Sequence, residues 1–367
     1  MAILLAAGSV AAAERSEQYW PHWRGPSIKG TAPTASPPLK WSETEHVKWK
    51  VKTPGFGTST PIVWQNHVFI LTAIPTGKKI EPPTTGTAET PAPPTTPPAP
   101  AAAPAADPAP APAPAAESRT GGDQQGRRRR PGGGSMRSEK PTEAYQFAVL
   151  SVDRASGKIL WQKTAREQVP HEGHHRDHGF ASGSPITDGE HLYVSFGSRG
   201  LYCYDLKGNL KWEKDLGDMQ TRNAFGEGSS PALQGNTLVM NWDHEGEDFI
   251  VALDKRTGQE LWRQPRDEPT TWSTPLIVEH DGKPQVVVSA RNRIRSYDLA
   301  SGEKVWECGG MTENVIPTPV SDFGLVYAIS GFRGAALLAI KLGKSGDLTD
   351  SDAIAWRHSK ATPYVPL

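Results

Sequence analysis

Three things are scarce in this 367-residue sequence, and each scarcity excludes a class of protein. The 40 basic and 40 acidic side chains balance, so a long-range electrostatic attraction to nucleic acid or to an anionic membrane is not expected. Two cysteines, Cys203 and Cys308, are too few for a disulfide framework and are typical of small buried apolar residues. No apolar run approaches the roughly 18 residues of a transmembrane segment.

Proline and glycine are abundant but unevenly placed. The chain has 34 prolines and 36 glycines, and 16 of the prolines lie between Pro75 and Pro141. This Pro-, Ala-, Thr- and Gly-rich stretch cannot bury enough apolar surface to offset the entropy lost on ordering. We therefore predict a disordered insert over residues 75–143. Its run Arg127–Arg130 is interpreted as solvated charge, with a surface-binding patch as the alternative.

The N-terminus is a short apolar stretch that ends in Ala11, Ala12 and Ala13. Small residues at that point are typical of a secretory leader with cleavage after Ala13. The sequence therefore predicts a leader over residues 1–13 and export to the periplasm or cell envelope. The basic residues that usually open such a leader are missing, which leaves open an upstream start or a merely apolar N-terminus.

A repeat organises the remaining chain. A Ser or Thr followed by Pro and an apolar run recurs five times, and the last four copies are 46, 44 and 44 residues apart. The first gap is 124 residues, or 55 when the insert is left out. A period of roughly 40 to 50 residues is typical of propeller blades. The hydroxyl residues of the five copies are Thr60, Ser184, Ser230, Thr274 and Thr318.

A second signature follows each Ser/Thr-Pro copy: a strand ends in Asp, a tight turn ends in Gly, and a Trp closes the next strand. This pattern predicts a hairpin whose Asp accepts turn N–H bonds and whose Gly is left-handed. The fifth copy departs, since Lys341 replaces the Asp and a longer hairpin precedes Trp356. The four regular copies are Asp153-Gly157-Trp161, Asp205-Gly208-Trp212, Asp254-Gly258-Trp262 and Asp298-Gly302-Trp306.

Short strands of alternating apolar and polar residues lie between the Ser/Thr-Pro and Asp-Gly-Trp motifs, which gives four strands per repeat. We therefore predict an all-β propeller of four-stranded blades, with a β-sandwich as the alternative. The propeller would begin in residues 14–74, which hold the outer strand of the last blade and the first half of blade 1. It would continue through residues 144–367.

The pattern resembles the PQQ-like (pyrroloquinoline-quinone-like) repeat of quinoprotein dehydrogenases and of the outer-membrane assembly lipoprotein BamB. The motif WPHWRGP at residues 20–26 and the stretches at 197–218 and 241–262 are similar to exported bacterial PQQ-like propeller proteins. The resemblance implies that the closing tryptophans stack between neighbouring blades. They are Trp161, Trp212, Trp262, Trp306 and Trp356.

The resemblance also implies a ring of eight blades, of which five complete copies are present here. The final ATPYVPL resembles the start of a sixth copy, so we expect a C-terminally truncated chain with five blades in an open or strained arc. Trp49 would then lie in the closing position of the last blade.

Loops that share one face of the propeller carry the first candidate site. Arg199, Arg291 and Arg333 occupy equivalent loop positions, and guanidinium groups bind carboxylate or phosphate by paired hydrogen bonds. We predict an anion-binding funnel there, with solubilising surface arginines as the alternative. Other candidate ligand-binding residues on this face are Asn292, Asp243, His244, Glu245 and Trp272.

The second candidate site is the connector HEGHHRDHG, where four of the eleven histidines lie within eight residues. Imidazoles and a carboxylate at such spacing can bind zinc or copper. The alternative is a solvated polar loop. The candidate metal ligands are His174, His175, Asp177 and His178.

The favoured function is therefore an exported binding or scaffold protein that holds an envelope protein or a small anion on its loop face. The alternatives are a PQQ-dependent quinoprotein dehydrogenase and a metal enzyme that uses the His-rich loop. Large quinoprotein dehydrogenases carry adjacent cysteines over the cofactor, whereas Cys203 and Cys308 are 105 residues apart.

Overall fold

The computed structural model describes residues 18–32, 35–79 and 137–365, which form five sheets in chain order. Each sheet has four antiparallel strands, and the fourth sheet gains a fifth, parallel strand from the next repeat. The proposed leader and most of the proposed insert lie outside the described residues. The first two sheets contain β1 (Ile62–Trp64), β2 (His67–Lys79), β3 (Glu143–Asp153), β4 (Ile159–Gln168), β5 (Ile186–Thr187), β6 (His191–Ser195), β7 (Leu201–Asp205) and β8 (Leu210–Lys214).

The next three sheets repeat the same meander, so the predicted all-β propeller with five blades is confirmed. Their strands are β9 (Ala232–Gln234), β10 (Thr237–Trp242), β11 (Phe249–Asp254), β12 (Glu260–Pro265), β13 (Leu276–His280), β14 (Lys283–Val288), β15 (Ile294–Asp298), β16 (Lys304–Cys308), β17 (Val320–Asp322), β18 (Leu325–Ser330), β19 (Ala336–Lys341), β20 (Gly346–Asp347) and β21 (Ile354–His358).

Helix is confined, in the described chain, to two 3-10 turns, Gly197–Arg199 and Arg222–Ala224. No helix in the described ranges is long and apolar enough to cross a membrane.

Four buried apolar clusters lie between successive sheets and form the core. Phe69 of β2 and Leu192 of β6, for example, belong to the cluster between the first and second sheets. Val287 of β14 and Val326 of β18 belong to the cluster between the fourth and fifth. Each blade therefore buries its faces against its neighbours, which is why copies of the repeat must pack together to be stable.

The Asp-Gly-Trp signature fixes how neighbouring blades meet. Trp262 of the third blade packs on Gly302 in the turn of the fourth, and its Nε1–H donates to Leu299 O at 2.9 Å. Gly302 has φ +75°, so it is both left-handed and free of the Cβ that would collide with the indole. Trp161 and Trp212 pack in the same way on Gly208 and Gly258.

The last two tryptophans depart from this pattern. Trp306 is buried in the core cluster between the fourth and fifth sheets, but its Nε1–H donates to Gln285 Oε1 within its own sheet. The long hairpin of the fifth blade explains the difference, because its strand β20 pairs with β16 and replaces the usual tight turn. Trp356 is 45% exposed, and in the described chain no later blade covers it.

Hydrogen bonds between the Ser/Thr-Pro copies connect the innermost strands. The backbone N–H of each hydroxyl residue donates to the hydroxyl of the next copy, at 2.9 to 3.0 Å, along the series Thr60, Ser184, Ser230, Thr274 and Thr318. This inner ring uses one residue per blade and explains why a hydroxyl precedes the proline in the last four copies.

The N-terminal motif WPHWRGP links the first blade to the last. Trp20 pairs with Val63 of β1, and Pro21 O accepts from the N–H of Thr187 in β5. Arg24 reaches the fifth blade, where Nη1 donates to Pro319 O at 2.7 Å and Nη2 to Thr318 O at 2.9 Å. Segment 20–29 therefore bridges the inner strands of three blades, and we call it the N-terminal bridge.

Two boundaries differ from the sequence expectation. The predicted insert began at residue 75, but β2 continues to Lys79 because Pro75 pairs with Tyr145 and Lys79 with Glu143. Residues 35–57 form no regular strand in the described chain, although Trp49 packs on Gly157 and donates to Arg154 O at 3.0 Å. Trp49 thus contacts blade 1 as Trp161 contacts blade 2.

Candidate functional site: an arginine cluster on the loop face

Loops from four blades meet on one face of the propeller and exchange hydrogen bonds. The N–H of Arg222, in the connector after β8, donates to Thr270 Oγ1 in the connector after β12. Thr221 donates from its N–H and its hydroxyl to Glu172, in the connector after β4. These contacts hold the connectors together, so side chains distant in the sequence reach one place.

Three arginines converge on a single carboxylate there. Arg222 Nη2, Arg291 Nη2 and Arg333 Nη1 lie 3.2, 3.4 and 3.5 Å from the oxygens of Glu313. Arg222 is fixed further by a bond from Nη1 to Asn314 Oδ1 at 3.0 Å. We call Arg222, Arg291, Arg333 and Glu313 the arginine cluster.

The arginine cluster carries an excess of two positive charges and is open to solvent. The side chains of Arg222, Arg291 and Arg333 are 29%, 42% and 62% exposed. Their separations from Glu313 exceed those of tight charge-assisted hydrogen bonds, so much of their donor capacity is free for a ligand. The chemistry of the cluster suits a carboxylate or phosphate group.

The sequence placed Arg199 in the same ring, but the structure separates it from the other two. Arg199 is buried, and its Nη2 contacts Asp218 Oδ1 and His171 Nδ1 at 2.6 Å each. The third arginine beside Glu313 is Arg222 instead, and it lies in the connector after β8 rather than in an equivalent hairpin loop. Position in the repeat indicated two of the three arginines, and Glu313 carried no sequence signal.

The candidate residues Asp243 and His244 lie inside the protein. Asp243 and Arg266 are both fully buried, with a bidentate pair at 2.6 and 3.0 Å. This pairing raises the pKa of Arg266 even though burial opposes its charge. His244 Nδ1 accepts from the N–H groups of Gln220 and Gly246, and Nε2 contacts Glu247 O. Both side chains are committed to holding loops.

The remaining predicted ligand-binding residues lie around these loops. Glu245 accepts from Thr270 Oγ1 at 2.8 Å, and the N–H of Asn292 donates to Glu268 Oε2 at 2.7 Å. Trp272 donates from Nε1 to Gly226 O at 2.7 Å and lines the central channel of the propeller.

The His-rich loop does not gather its predicted metal ligands. His174 contacts the ring of Phe180, and His175 is paired with Asp177 at 3.6 Å. His178 Nδ1 lies 2.8 Å from Ser182 Oγ, and burial lowers the pKa of its imidazole. The four predicted metal ligands therefore contact different neighbours and do not converge on one point in the described chain.

A trio on the same connector does bring ligand atoms within 4.8 Å of one another among the described residues: His171, Glu172 and Glu227. Both nitrogens of His171 are already engaged, one by Arg199 and one by Met219 O. Both oxygens of Glu227 accept from Ser198, and burial raises the pKa of its carboxyl. The Arg199 guanidinium beside His171 opposes a cation there.

Comparison with known proteins gives the family. A family model described as outer membrane protein assembly factor BamB matches residues 146–361, more than half of the chain. The chain belongs to this family of PQQ-like repeat propellers. No curated protein matches the chain.

Several solved structures are similar to this chain at low sequence identity. BamB from Moraxella catarrhalis is 14% identical with a TM-score of 0.42, over 60% of this chain and 61% of that one. A europium-containing methanol dehydrogenase is 18% identical with a TM-score of 0.36, over 50% of this chain and 42% of that one. Quinohemoprotein alcohol dehydrogenase from Comamonas testosteroni is 10% identical with a TM-score of 0.36, over 57% of this chain and 42% of that one. This chain thus spans less than two thirds of each.

The fold family raises pyrroloquinoline quinone, a tricarboxylate, as a ligand of the central channel. The cations that line the channel are Arg24 and Lys29. Arg24 donates to two backbone carbonyls, and Lys29 pairs with Asp322 at 3.0 Å. The channel residues therefore do not fit three carboxylates, and no step is derived through the quinone.

Proposed function

We propose that this chain is an exported propeller of the cell envelope that works as a binding protein, and that the arginine cluster holds a carboxylate-bearing ligand. The convergence of three arginines on Glu313 carries the proposal. The arginines come from three different loops, so the fold itself assembles the charge. The leader-like N-terminus and the description of the matching family support export.

An acidic segment of a partner protein fits this site better than a small anion does. Glu313 already lies where the three guanidinium groups converge, so a ligand meets their partly exposed outer sides, and such charges contribute little to affinity one at a time. Several carboxylates on one chain engage several arginines at once, and the excess positive charge accelerates their encounter.

The test measures binding of a fluorescein-labelled hexaglutamate peptide to the full chain by fluorescence anisotropy at low salt. We expect the double variant Arg291→Gln/Arg333→Gln to weaken binding roughly tenfold, because two exposed charge-assisted contacts are lost. The matched control is Arg256→Gln/Arg357→Gln, which removes two exposed arginines of a hairpin turn and an outer strand.

Citrate serves as competitor and separates the two ligand sources. A peptide displaced only by a large excess of citrate supports the acidic segment, whereas tighter binding of citrate than of the peptide assigns the site to small anions. The proposal fails if the peptide does not bind saturably, or if the control variant loses as much affinity as the cluster variant.

A further inference from the structure

A central channel of about 850 Å³ runs along the inner strands of the propeller. Its size is within the roughly 300–1,000 Å³ of ligand-binding pockets in proteins. Its wall combines flat aromatic rings with hydroxyl groups. The rings belong to Trp20, Trp23, Trp272 and Tyr327, and the hydroxyls include those of the inner ring.

The hydroxyl groups of the inner ring accept hydrogen bonds but leave their own O–H donors unused. Those of Ser184, Ser230, Thr274 and Thr318 each accept one backbone N–H from the preceding blade. Among the described residues none of the four donates to an acceptor, although all four are more than nine-tenths buried. A hydroxyl is a donor as well as an acceptor, so four O–H groups are left for an occupant of the channel.

One tryptophan of the N-terminal bridge adds an aromatic ring to the channel wall. Trp23 lines the channel, and Arg24 packs over its ring at 4.4 Å from the centroid. Trp23 Nε1 itself is buried out of reach of solvent, so the indole offers its ring and not its N–H to an occupant. Aromatic rings of this kind supply a large apolar contact surface.

The channel offers no free charge to that occupant. Arg24 and Lys29 are both engaged as described above, and no Asp or Glu lines the channel in the described ranges. Burial also lowers the pKa of Arg24 to about 10, which shows how poorly charge is solvated there. A ligand with a carboxylate or phosphate would therefore lose solvation without gaining a counter-ion.

We propose that the channel binds an uncharged saccharide ring. Sugar hydroxyls supply the acceptors that the four Ser/Thr hydroxyls lack. The C–H face of the ring is apolar and packs on a flat tryptophan, which is the combination of apolar body and polar handle that the wall presents. This site is separate from the arginine cluster and does not depend on the function proposed for it.

The test uses glucose, N-acetylglucosamine and glucuronate as probes of the full chain, with binding measured by calorimetric titration and saturation-transfer NMR. Two variants each change one group of the channel wall. Thr60→Val deletes a hydroxyl that makes no bond in the described chain, while its N–H to Ser184 Oγ is kept. Trp23→Phe reduces the aromatic surface on which the sugar ring would pack. The matched controls are Thr164→Val on the exposed strand β4 and Trp41→Phe, which is 72% exposed.

We expect both neutral sugars to bind saturably. Thr60→Val should raise the dissociation constant about fivefold, as the loss of one hydrogen bond would, and Trp23→Phe should raise it by about the same factor because the packing surface is smaller. The control variants and Arg291→Gln/Arg333→Gln should leave sugar binding unchanged. The proposal is overturned if neither neutral sugar binds, if glucuronate binds more tightly than glucose, or if the controls lose as much affinity as the channel variants. Thermal unfolding of each variant checks that it is folded. If Thr60→Val does not fold, the sugar affinity of Trp23→Phe alone decides the proposal.

Discussion

At the residue scale, the loop face depends on buried charges whose protonation is set by their surroundings. Glu268 is 3% exposed and accepts from the N–H groups of Asn292 and Arg293 and from Arg295 Nη1. Burial nevertheless raises the pKa of its carboxyl from 4.5 to about 7. The folded protein therefore holds a proton on Glu268 over a pH range in which the unfolded chain releases it.

The sign of the resulting pH dependence follows from linkage. Because the folded state binds the proton more tightly, the free energy of unfolding falls as pH rises from about 4.5 to about 7 and then stays level. The size of the fall from this one group is about 3 kcal/mol. We expect Glu268→Gln to remove that part of the slope, measured by urea unfolding at half-unit steps from pH 4.5 to 8.

The control for this prediction is Glu190→Gln, which changes an exposed carboxyl in the turn before β6. Asp248 also has a pKa raised by burial and lies beside Glu268, whose N–H it accepts at 2.7 Å, so a residual slope remains in the variant. An unchanged slope in Glu268→Gln, equal to that of wild type and of the control, would show that Glu268 is ionised throughout.

At the element scale, the joint between blades is the contact of one tryptophan with the turn glycine of the next hairpin. A Cβ at Gly302 would lie 2.5 Å from the Trp262 ring, and the residue has φ +75°. Gly302→Ala therefore combines backbone strain with overpacking of the joint. We expect it to lower the free energy of unfolding by about 2–5 kcal/mol, of which about 1–2 is backbone strain.

Gly282→Ala separates the two contributions. Gly282 has φ +73° in the turn between β13 and β14, but nothing lies within 4 Å of the position of its Cβ. This variant should cost only the strain, about 1–2 kcal/mol, measured by the same chemical unfolding experiment. Equal losses for the two alanine variants would contradict the idea that the tryptophan contact locks the blades.

These joints also show how far the sequence could predict the fold. The Asp-Gly-Trp spacing is local, so it predicted the hairpins and the packing tryptophans of the regular copies. The departure of Trp306 depends on where the long hairpin of the fifth blade docks, which no local pattern contains. The same holds for the loop face: repeat position indicated Arg291 and Arg333, but burial of Arg199 and the approach of Glu313 arise only when the blades are packed.

At the scale of the whole molecule, the inner ring of hydrogen bonds runs from Thr60 to Thr318 but does not connect these two ends in the described chain. The N-terminal bridge spans them instead, with Trp20 on the first blade and Arg24 on the fifth. Ile28 also packs against the core cluster of the last two sheets. Long-range order of the five blades thus depends on a short segment that precedes them in the chain.

Arg24→Met tests this dependence, because methionine keeps an apolar stem but cannot donate to Thr318 O and Pro319 O. Loss of two charge-assisted bonds to backbone carbonyls should lower the free energy of unfolding by about 2–3 kcal/mol. Amide hydrogen exchange should accelerate most in the fifth blade, since the residues directly before its inner strand β17 lose their bonds to Arg24 and only the exposed pair Lys29–Asp322 remains. The matched control is Arg357→Met, an arginine of the same blade whose side chain is 54% exposed. A uniform acceleration over all five blades, or an equal effect in the control, would show that the bridge does not tie the fifth blade to the first.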